Sequence, residues 1–365
     1  MKIKVAVLVV GLNAGGIENY LLRFLIFYKR KINATVYCKS GKTGELEEEY
    51  LRAGILIKKF PLGHFNPIQY INLKKELQKG SYHAIVDFTG NFAGLTLRFA
   101  KKAGIKKRIV WYRNADDKFK KTTFRLLYNK FVNQLTLTNA TDILSNSKAA
   151  LNHFYKHYNW KNDSRFEVVY NGIDAEQFLN SKENLRKEFN IPISAFVVGN
   201  IGRFNDQKNH KTAIEVAINL CKSHNDIFFI FCGKGVDIAY ASKIKDLGLE
   251  NKIILPGLRR DVIKILNTLD CFYFPSILEG QPNALIEAMM VGVPFVASDI
   301  DPVKETVPEK LHTYLVPPLN KLRSENAILS IKENEDYRKL FIINDWAKEN
   351  FNSDVQFKIF FDKIL

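Results

Sequence analysis

Residues 271–297, CFYFPSILEGQPNALIEAMMVGVPFVA, decide the fold of this chain. Cys271–Phe274 is a short apolar and aromatic run that predicts a buried strand. A loop follows, and Asn283–Val291 has the composition of a helix that ends before Gly292. A second apolar run then occupies residues 294–297. Strand, helix and strand in this order predict a parallel sheet with helices on its faces.

The same alternation extends outward from this stretch and occurs in two series. The first series predicts strands at residues 4–10, 34–38, 55–60, 84–88 and 108–112. The second predicts them at residues 195–200, 227–232, 252–255, 271–274 and 294–297. A turn signal, Asn171–Gly172, lies between the series. The sequence therefore predicts an N-terminal domain over residues 1–170 and a C-terminal domain over residues 171–347.

Length and charge give the first indications of what kind of protein this is. A chain of 365 residues favours two domains. No apolar run is long enough to span a membrane, and four scattered cysteines lack metal-ligand spacing. Residues 1–170 carry 30 Lys and Arg against 12 Asp and Glu, whereas residues 171–365 carry 24 against 26. The basic first half predicts an anionic partner, namely lipid headgroups, nucleic acid or a phosphorylated substrate; solvated surface lysines are the alternative.

A glycine-rich loop follows the first predicted strand and opens a helix. GLNAGGIENY (11–20) places Gly15 and Gly16 where a backbone can approach a ligand and a helix N-terminus can face an anion. A purely structural turn is the alternative. The spacing of these glycines is not that of the dinucleotide-binding motif, so a dinucleotide cofactor is not favoured. SGKTGE (40–45) lacks the first glycine of a phosphate-binding P-loop, so a P-loop nucleotidase is not favoured either.

Loops of the second half carry cations and further glycines. GNIGRFNDQKNH (199–210) places Arg203 and Lys208 after a strand and before a helix, where they could neutralise a diphosphate leaving group. Two solvated surface cations are the alternative. FCGKG (231–235) permits close approach of a ligand, and ILPGLRRD (254–261) presents backbone that could contact a nucleobase.

Two glutamates flank the predicted start of the helix within EGQPNALIEA (279–288). Glu279 lies in the loop and Glu287 lies within the helix. They could be surface charges, metal ligands or part of a sugar site. No histidine or third carboxylate accompanies them locally, which disfavours a metal. An anion at the helix end with a carboxylate on either side fits a sugar nucleotide.

These motifs together resemble the family 4 retaining glycosyltransferases with the GT-B fold. GRFNDQKNH, NGID, FCGKG, LPG and EGQPNALIEAMMVGVPFVASD match in order and spacing over residues 165–300, and GGIENY also fits. The resemblance is to members of the capsular and exopolysaccharide type. It implies an α/β fold of two Rossmann-like domains facing each other across a cleft. It also implies that C-terminal helices, residues 348–365, return to the N-terminal domain.

The resemblance implies a role for each matching residue. Arg203 and Lys208 would stabilise the departing diphosphate, and Glu279 would hold the donor sugar; these form the candidate catalytic group together with Arg113. Glu287 would hold the ribose. The remaining donor-binding residues would be Gly15, Gly16, Gly202, Gly233, Leu258, Gly280, Gln281, Pro282 and Asn283. The reaction would retain configuration and use no metal or other cofactor, with UDP the expected nucleotide.

One departure from the family pattern concerns the first half. Many members carry a histidine after the strand near residue 110, where this chain has Tyr112, Arg113 and Asn114. Arg113 could contact donor or acceptor in its place. The missing histidine motivates one alternative to a transferase that builds surface polysaccharide, namely a catalytically weak protein that binds glycan or membrane. A sugar-nucleotide epimerase is a further alternative, which the basic first half argues against.

Basic and aromatic residues alternate between residues 101 and 131. On a helix, Phe124, Leu127 and Phe131 would share a face bordered by Lys118, Lys120, Lys121, Arg125 and Lys130. Such a helix can lie on an anionic bilayer, although a core-facing helix with a solvated basic side gives the same pattern. We expect a cytoplasmic protein held peripherally at the inner face of the plasma membrane, with a glycan or polyprenyl-diphosphate-linked acceptor. No nucleic-acid-binding motif is present.

Overall fold

The computed structural model describes residues 2–63, 66–113, 123–179 and 182–365. Contacts within the chain divide it into two compact units. The first unit is Met1–Gly172 together with Asp354–Leu365, and the second unit is Ile173–Ser353. Each unit is built on a parallel sheet, so the α/β class predicted from the alternation of strands and helices is confirmed.

Strands of the described residues form one sheet of seven and one of five, with the orders β3-β2-β1-β4-β5-β6-β7 and β10-β9-β8-β11-β12. The first sheet contains β1 (Ile3–Val9), β2 (Ile32–Cys38), β3 (Leu56–Lys59), β4 (Ala84–Asp87), β5 (Lys107–Tyr112), β6 (Asp142–Ser145) and β7 (Phe166–Val168). The second contains β8 (Phe196–Ile201), β9 (Ile227–Cys232), β10 (Ile253–Gly257), β11 (Cys271–Phe274) and β12 (Phe295–Ala297).

Helices connect the strands, as parallel pairing requires. In chain order they are α1 (Gly16–Phe27), α2 (Glu47–Arg52), α3 (Pro67–Gly80), α4 (Gly94–Lys102), α5 (Thr123–Asn139), α6 (Lys148–Phe154), α7 (Glu176–Leu179), α8 (His210–Ser223), α9 (Val236–Asp246), α10 (Val262–Thr268), α11 (Asn283–Val291), α12 (Asp301–Thr306), α13 (Lys321–Glu333), α14 (Glu335–Lys339), α15 (Asn344–Phe351) and α16 (Ser353–Ile364). Short 3-10 turns occupy 90–93, 160–162, 206–208 and 309–314.

Both faces of the seven-stranded sheet are buried, which explains why its central strands are continuous apolar runs. Val5, Val7 and Val9 of β1 point into one core, against α1 and α16. Ala6 and Leu8, which alternate with them, point into the other core, against α3, α4 and α6. The period of two along β1 thus supplies side chains to both cores.

Aromatic residues of the C-terminal helix complete the first unit. Phe357, Phe360 and Phe361 of α16 are buried in the same core as α1. The Phe360 ring lies 4.3 Å from that of Phe24, and Phe361 stacks on Tyr28 at 4.2 Å between centroids. Such pairs each contribute about 0.5–1.5 kcal/mol beyond burial. The predicted return of the C-terminal helix is confirmed for α16, while α15 packs on α11 in the second unit.

Helix α11 has the start and end that its sequence predicts. It covers Asn283–Val291 and ends at Gly292, whose φ of 87° is left-handed and suits glycine. Pro282 caps the helix from just outside it and does not occupy its first turn. The helix therefore begins directly after the loop that carries Glu279.

The predicted amphipathic basic helix falls largely outside the described part of the chain. Asn114, Lys118, Lys120 and Lys121 are not described, and neither are the side chains of residues 123–127. Within α5, Lys130 is exposed and Phe131 is 54% exposed. The proposed membrane-facing pattern of this helix stays a prediction.

Candidate functional site

The carboxyl ends of β8 and β11 meet at the point where the strand order of the second sheet reverses. These strands are neighbours, with Cys271 opposite Val198 and Phe272 opposite Gly199. Connections leave in opposite directions at such a point, and ligands of open α/β sheets bind in the crevice that results. The loops after these two strands are those that carry Lys208 and Glu279.

Lys208 and Glu279 form an ion pair between the two loops. The Nζ of Lys208 lies 2.7 Å from Oε1 of Glu279, and their side chains are 22% and 10% exposed. The same ammonium lies 5.1 Å from the centroid of the Phe274 ring. A charge-assisted hydrogen bond of this length, largely shielded from water, fixes the position of both side chains. The structure thus brings two predicted catalytic residues together.

Polar contacts of the neighbouring backbone hold the two loops in place. The side chain of Asn205 accepts a hydrogen bond from the Lys208 amide at 2.9 Å. The Ile277 amide donates to the Gln207 carbonyl at 2.8 Å. The Asn209 side chain donates to the carbonyl of Pro275 at 3.0 Å. The first bond holds the loop after β8, and the other two connect that loop to the loop after β11, so the backbone that carries the ion pair is preorganised.

The start of α11 lies at the same sheet edge, immediately after Gly280. Gln281 is buried, and the Asn283 amide donates to its carbonyl at 3.0 Å. Amides at the start of a helix lack intrahelical acceptors and carry partial positive charge. Glu287 is the fifth residue of the helix and is partly buried. The predicted phosphate-binding amides therefore lie beside Glu279.

Three further predicted donor residues follow adjacent strands at this edge. Gly202 follows β8, Gly233 follows β9, and Leu258 follows β10 with 66% of its surface exposed. The Gly233 amide donates to the Gly257 carbonyl at 2.8 Å. A Cβ at Gly233 would lie 2.0 Å from the Gly202 oxygen. Backbone therefore packs on backbone here. Arg203, the next residue after Gly202, is exposed.

His210 is a residue of this site that the sequence analysis did not select. It opens α8 two residues after Lys208, and it is 1% exposed. Burial lowers the pKa of His210 to about 4, although hydrogen bonding to the backbone of Gly202 and Asn205 acts in the opposite direction, so the ring is neutral at neutral pH. The sequence could have indicated His210, because this histidine directly follows the loop that carries Arg203 and Lys208 and stands where a helix is predicted to begin.

In the first unit, Gly15 and Gly16 lie where β1 meets α1. Gly16 is the first residue of α1, and Gly15 precedes it in an extended conformation. A Cβ at Gly15 would lie 2.6 Å from Oε2 of Glu18. The Ala14 amide donates to Oε2 of Glu45 at 3.2 Å, which ties this loop to the segment after β2. Both glycines follow β1, beside the reversal of strand order between β1 and β4.

Arg113 follows β5 and is 7% exposed. One terminal nitrogen donates to Oδ1 of Asn171. Its Cζ lies 4.3 Å from the centroid of the Tyr20 ring and 5.5 Å from that of Trp111. Burial lowers the pKa of Arg113 to about 10, so it remains a cation at neutral pH.

All the predicted site residues lie in or next to the loops that follow strands of the two sheets. In the second unit these are Gly202, Arg203, Lys208, Gly233, Leu258, Glu279, Gly280, Gln281, Pro282, Asn283 and Glu287. In the first unit they are Gly15, Gly16 and Arg113. No group of three or more His, Cys, Asp or Glu side chains in the described ranges is arranged to hold a metal ion. The individual role of each residue stays a prediction.

Two family models match the chain. Glycosyltransferase Family 4 matches residues 14–177, and Glycosyl transferases group 1 matches residues 181–345. Among curated proteins, the capsular polysaccharide biosynthesis glycosyltransferase CapH of Staphylococcus aureus is 28% identical over 284 residues, or 76% of each chain. An Escherichia coli UDP-Gal:alpha-D-GlcNAc-diphosphoundecaprenol alpha-1,3-galactosyltransferase is 31% identical over 145 residues, 38% of this chain and 37% of its own.

Among solved structures, Anabaena Alr3699/HepE in complex with UDP has a TM-score of 0.82 and 19% sequence identity, covering 100% of this chain and 99% of that one. This similarity shows the GT-B fold. The two family models together account for nearly the whole chain. The chain therefore belongs to the family 4 glycosyltransferases and is a glycosyltransferase with the GT-B fold.

Proposed function

We propose that this glycosyltransferase moves a hexosyl or N-acetylhexosaminyl group from a UDP sugar, with retention of configuration and without a metal ion. The acceptor is a glycan or a polyprenyl-diphosphate-linked glycan in the synthesis of a surface polysaccharide. The observation that carries the proposal is the 2.7 Å pair of Lys208 and Glu279 beside the start of α11. A cation, a carboxylate and helix amides at one sheet edge match the diphosphate and the sugar hydroxyls of such a donor.

The chemistry of the site follows from where charge develops. As the bond between the anomeric carbon and the diphosphate oxygen breaks, negative charge grows on the departing diphosphate. Lys208, Arg203 and the α11 amides stabilise that charge more in the transition state than in the ground state. Glu279 accepts hydrogen bonds from donor-sugar hydroxyls and Glu287 from ribose hydroxyls. Cations and amides thus perform the role that a metal ion has in other transferases.

Three similar proteins support the choice of donor and acceptor class. The HepE structure contains UDP, and the Escherichia coli relative is named for transfer from UDP-Gal to GlcNAc-diphosphoundecaprenol. CapH is named for capsular polysaccharide biosynthesis. We infer from these names a uridine nucleotide and a lipid-linked glycan for this chain.

Nucleotide binding gives the first test. We expect UDP to raise the Tm of the wild type, whereas GDP, ADP and CMP do not. A ligand at one hundred times its Kd stabilises the protein by about 2.7 kcal/mol. Glu287→Ala should weaken UDP binding by about tenfold or more, because the hydrogen bonds of a carboxylate to the ribose are lost. The measurement is a thermal-shift titration with the four nucleotides.

Glu250→Ala is the matched control, since Glu250 is an exposed glutamate of the same unit that follows α9. It should bind UDP like the wild type. A wild type that responds to no nucleotide, or a Glu287→Ala protein that binds UDP normally, contradicts the proposed donor site. Turnover then separates the remaining classes: a transferase releases UDP only with an acceptor, whereas an epimerase converts the donor alone.

A basic surface on the first unit supports peripheral attachment to the inner face of the plasma membrane. No described helix is both long and apolar enough to cross a bilayer. The neighbouring helices α3 and α4, with the turn after α4, carry this surface, which consists of Lys74, Lys75, Lys79, Arg98, Lys101, Lys102 and Lys106. Ile68 and Ile71, on the exposed side of α3, are 67% and 47% exposed.

The acids near this surface do not neutralise it. Residues 66–113 contain only two, Glu76 and Asp87. Glu76 pairs with Lys58, and Asp87 pairs with Lys39 at 3.1 Å. Neither of these two acids forms an ion pair with a residue of the basic surface. The positive charge of that surface complements anionic headgroups, and the two isoleucines can enter the interfacial layer.

Vesicle binding tests the basic surface. The variant Lys75→Gln, Lys79→Gln, Lys101→Gln should bind vesicles containing phosphatidylglycerol about a hundredfold more weakly, because each basic residue near the surface contributes about 1 kcal/mol. The control Lys222→Gln, Lys243→Gln, Lys245→Gln removes three exposed lysines of the second unit and should bind normally. Equal loss in both variants in a co-sedimentation assay would contradict a specific surface.

A further inference from the structure

Arg113 is held between aromatic rings in the first unit. Its guanidinium lies over Tyr20, 4.3 Å from the ring centroid, and the Tyr20 and Trp111 rings are 5.3 Å apart. No ion pair joins it to an acid of the described residues, and its terminal nitrogen Nη2 donates to the neutral side chain of Asn171. A buried cation without an opposite charge in contact is costly and is a mark of a functional site.

The donors around Arg113 outnumber the acceptors. Four buried polar atoms of this cluster make no hydrogen bond within the described part of the chain: Nη1 of Arg113, Nε of Arg23, Nε1 of Trp111 and the hydroxyl of Tyr20. Three of these atoms are N–H groups, which only donate, and the hydroxyl is able to donate. Arg23 also carries positive charge, and it lies close enough to Arg113 and Tyr20 to influence the pKa of both.

The chemistry of this cluster selects its ligand. Several N–H donors and two guanidinium groups match a group with several negatively charged oxygen atoms. A neutral sugar hydroxyl would satisfy one donor and bring no negative charge to the two guanidinium groups, whereas Glu18 is the described acid that raises the pKa of Arg113. The cluster consists only of residues from the first unit, whereas the proposed donor diphosphate site consists of residues from the second.

We propose that Arg113, with Arg23, Tyr20 and Trp111, binds an oxyanion of the acceptor, either a phosphate or a carboxylate. That the oxyanion belongs to the acceptor rests on the proposed function. That the cluster binds an oxyanion is inferred from its unsatisfied donors and its guanidinium groups, independently of the proposed function. Arg113 then takes the position of the histidine of other family members but has a different role, because it recognises charge on the acceptor.

Trp111 provides a reporter inside the cluster. The chain contains three tryptophans, so Trp160→Phe and Trp346→Phe leave Trp111 as the sole one. We expect inorganic phosphate or glucuronate, each titrated against sodium chloride of equal ionic strength, to change Trp111 fluorescence in a saturable way. A response to phosphate points to a phosphate-bearing acceptor, and a response to glucuronate points to an acidic sugar. No saturable response to either anion overturns the proposal.

Arg113→Met keeps the length of the side chain and removes its charge. We expect the apparent Kd for the responding anion to rise by about tenfold or more, with UDP affinity unchanged and Tm equal to or above that of the wild type, because the cost of burying a charge that has no ion-pair partner in contact is removed. A lower Tm with unchanged anion affinity would show a structural role and overturn the proposal. An equal loss of UDP affinity would assign the oxyanion to the donor and also overturn it.

Arg113→Lys keeps the positive charge but removes the planar set of guanidinium N–H donors. If Arg113→Met does not fold, this variant tests whether residue 113 binds the anion. Its anion affinity should lie between those of the wild type and Arg113→Met; affinity equal to that of the wild type would contradict a hydrogen-bonded site. Failure here is separable from failure of the proposed function. If the protein binds UDP through Glu287 but Trp111 fluorescence does not respond to phosphate or glucuronate, then the proposed donor site stands and only the proposed oxyanion site is overturned.

Discussion

Lys208→Met is expected to lower kcat by about a hundredfold to a thousandfold. Removing one preorganised group that stabilises charge in a transition state costs about 2.7–4 kcal/mol. Lys208 meets the condition of preorganisation, because its ammonium lies 2.7 Å from Glu279 and its amide donates to Asn205 before any substrate binds. The measurement is UDP release with an acceptor that supports turnover by the wild type.

The loss should fall on kcat more than on KM, since charge on the diphosphate grows as the sugar departs. Lys211→Met is the matched control, because Lys211 is an exposed lysine one residue into α8. It should retain activity within about twofold. A Lys208→Met protein that is folded, binds UDP and keeps its kcat would show that the Lys208–Glu279 pair has no part in the transition state.

Removal of Lys208 also leaves Glu279 without its counter-ion at 10% exposure. A buried charge that loses its partner destabilises the protein. The Tm of Lys208→Met must therefore be measured beside its kinetics. The double variant Lys208→Met, Glu279→Gln removes both charges; it should recover Tm without recovering kcat. Recovery of Tm without recovery of kcat would show that the loss of kcat in Lys208→Met is not caused by loss of stability.

Apolar runs were sufficient to predict most of the fold. The ten strands predicted from such runs all occur. Central strands are buried on both faces and have a composition that few other elements share, whereas the edge strand β3 is partly exposed. Strands β6 and β7 were not predicted. They have only four and three residues, and they include Asp142, Ser145 and Glu167. Their pairing beside β5 is decided by tertiary contacts that no local pattern records.

The sequence indicated which loops carry the candidate site, but it did not indicate the contacts between their side chains. Strand order places loops after β8 and β11 side by side, so Lys208 and Glu279, which are 71 residues apart in sequence, could be expected at one edge. Their ion pair depends on rotamers, which the sequence does not indicate. The burial of His210 and the stacking of Arg113 on Tyr20 likewise depend on packing around each side chain.

Gly233→Ala is expected to destabilise the second unit by about 3 kcal/mol and to weaken UDP binding. The new Cβ would lie 2.0 Å from the Gly202 oxygen and 3.1 Å from the Arg203 amide nitrogen. Overpacking costs about 1–3 kcal/mol where side chains can adjust, but here the neighbours are backbone and cannot rotate away. The loop that carries Arg203 must move, so the cation is displaced from the diphosphate position.

Gly248→Ala separates this clash from the general effect of adding a methyl group. Gly248 belongs to the same unit, has a φ of +65° and has no atom within 4 Å of an added Cβ. It should therefore lose only about 1–2 kcal/mol from the left-handed backbone and bind UDP normally. Urea unfolding and UDP titration of both variants give the comparison. If Gly233→Ala binds UDP as tightly as Gly248→Ala does, then the close packing of Gly202 on Gly233 does not position the donor loop, and the preorganisation argued for Lys208 would rest on the contacts of Asn205 and Asn209 alone.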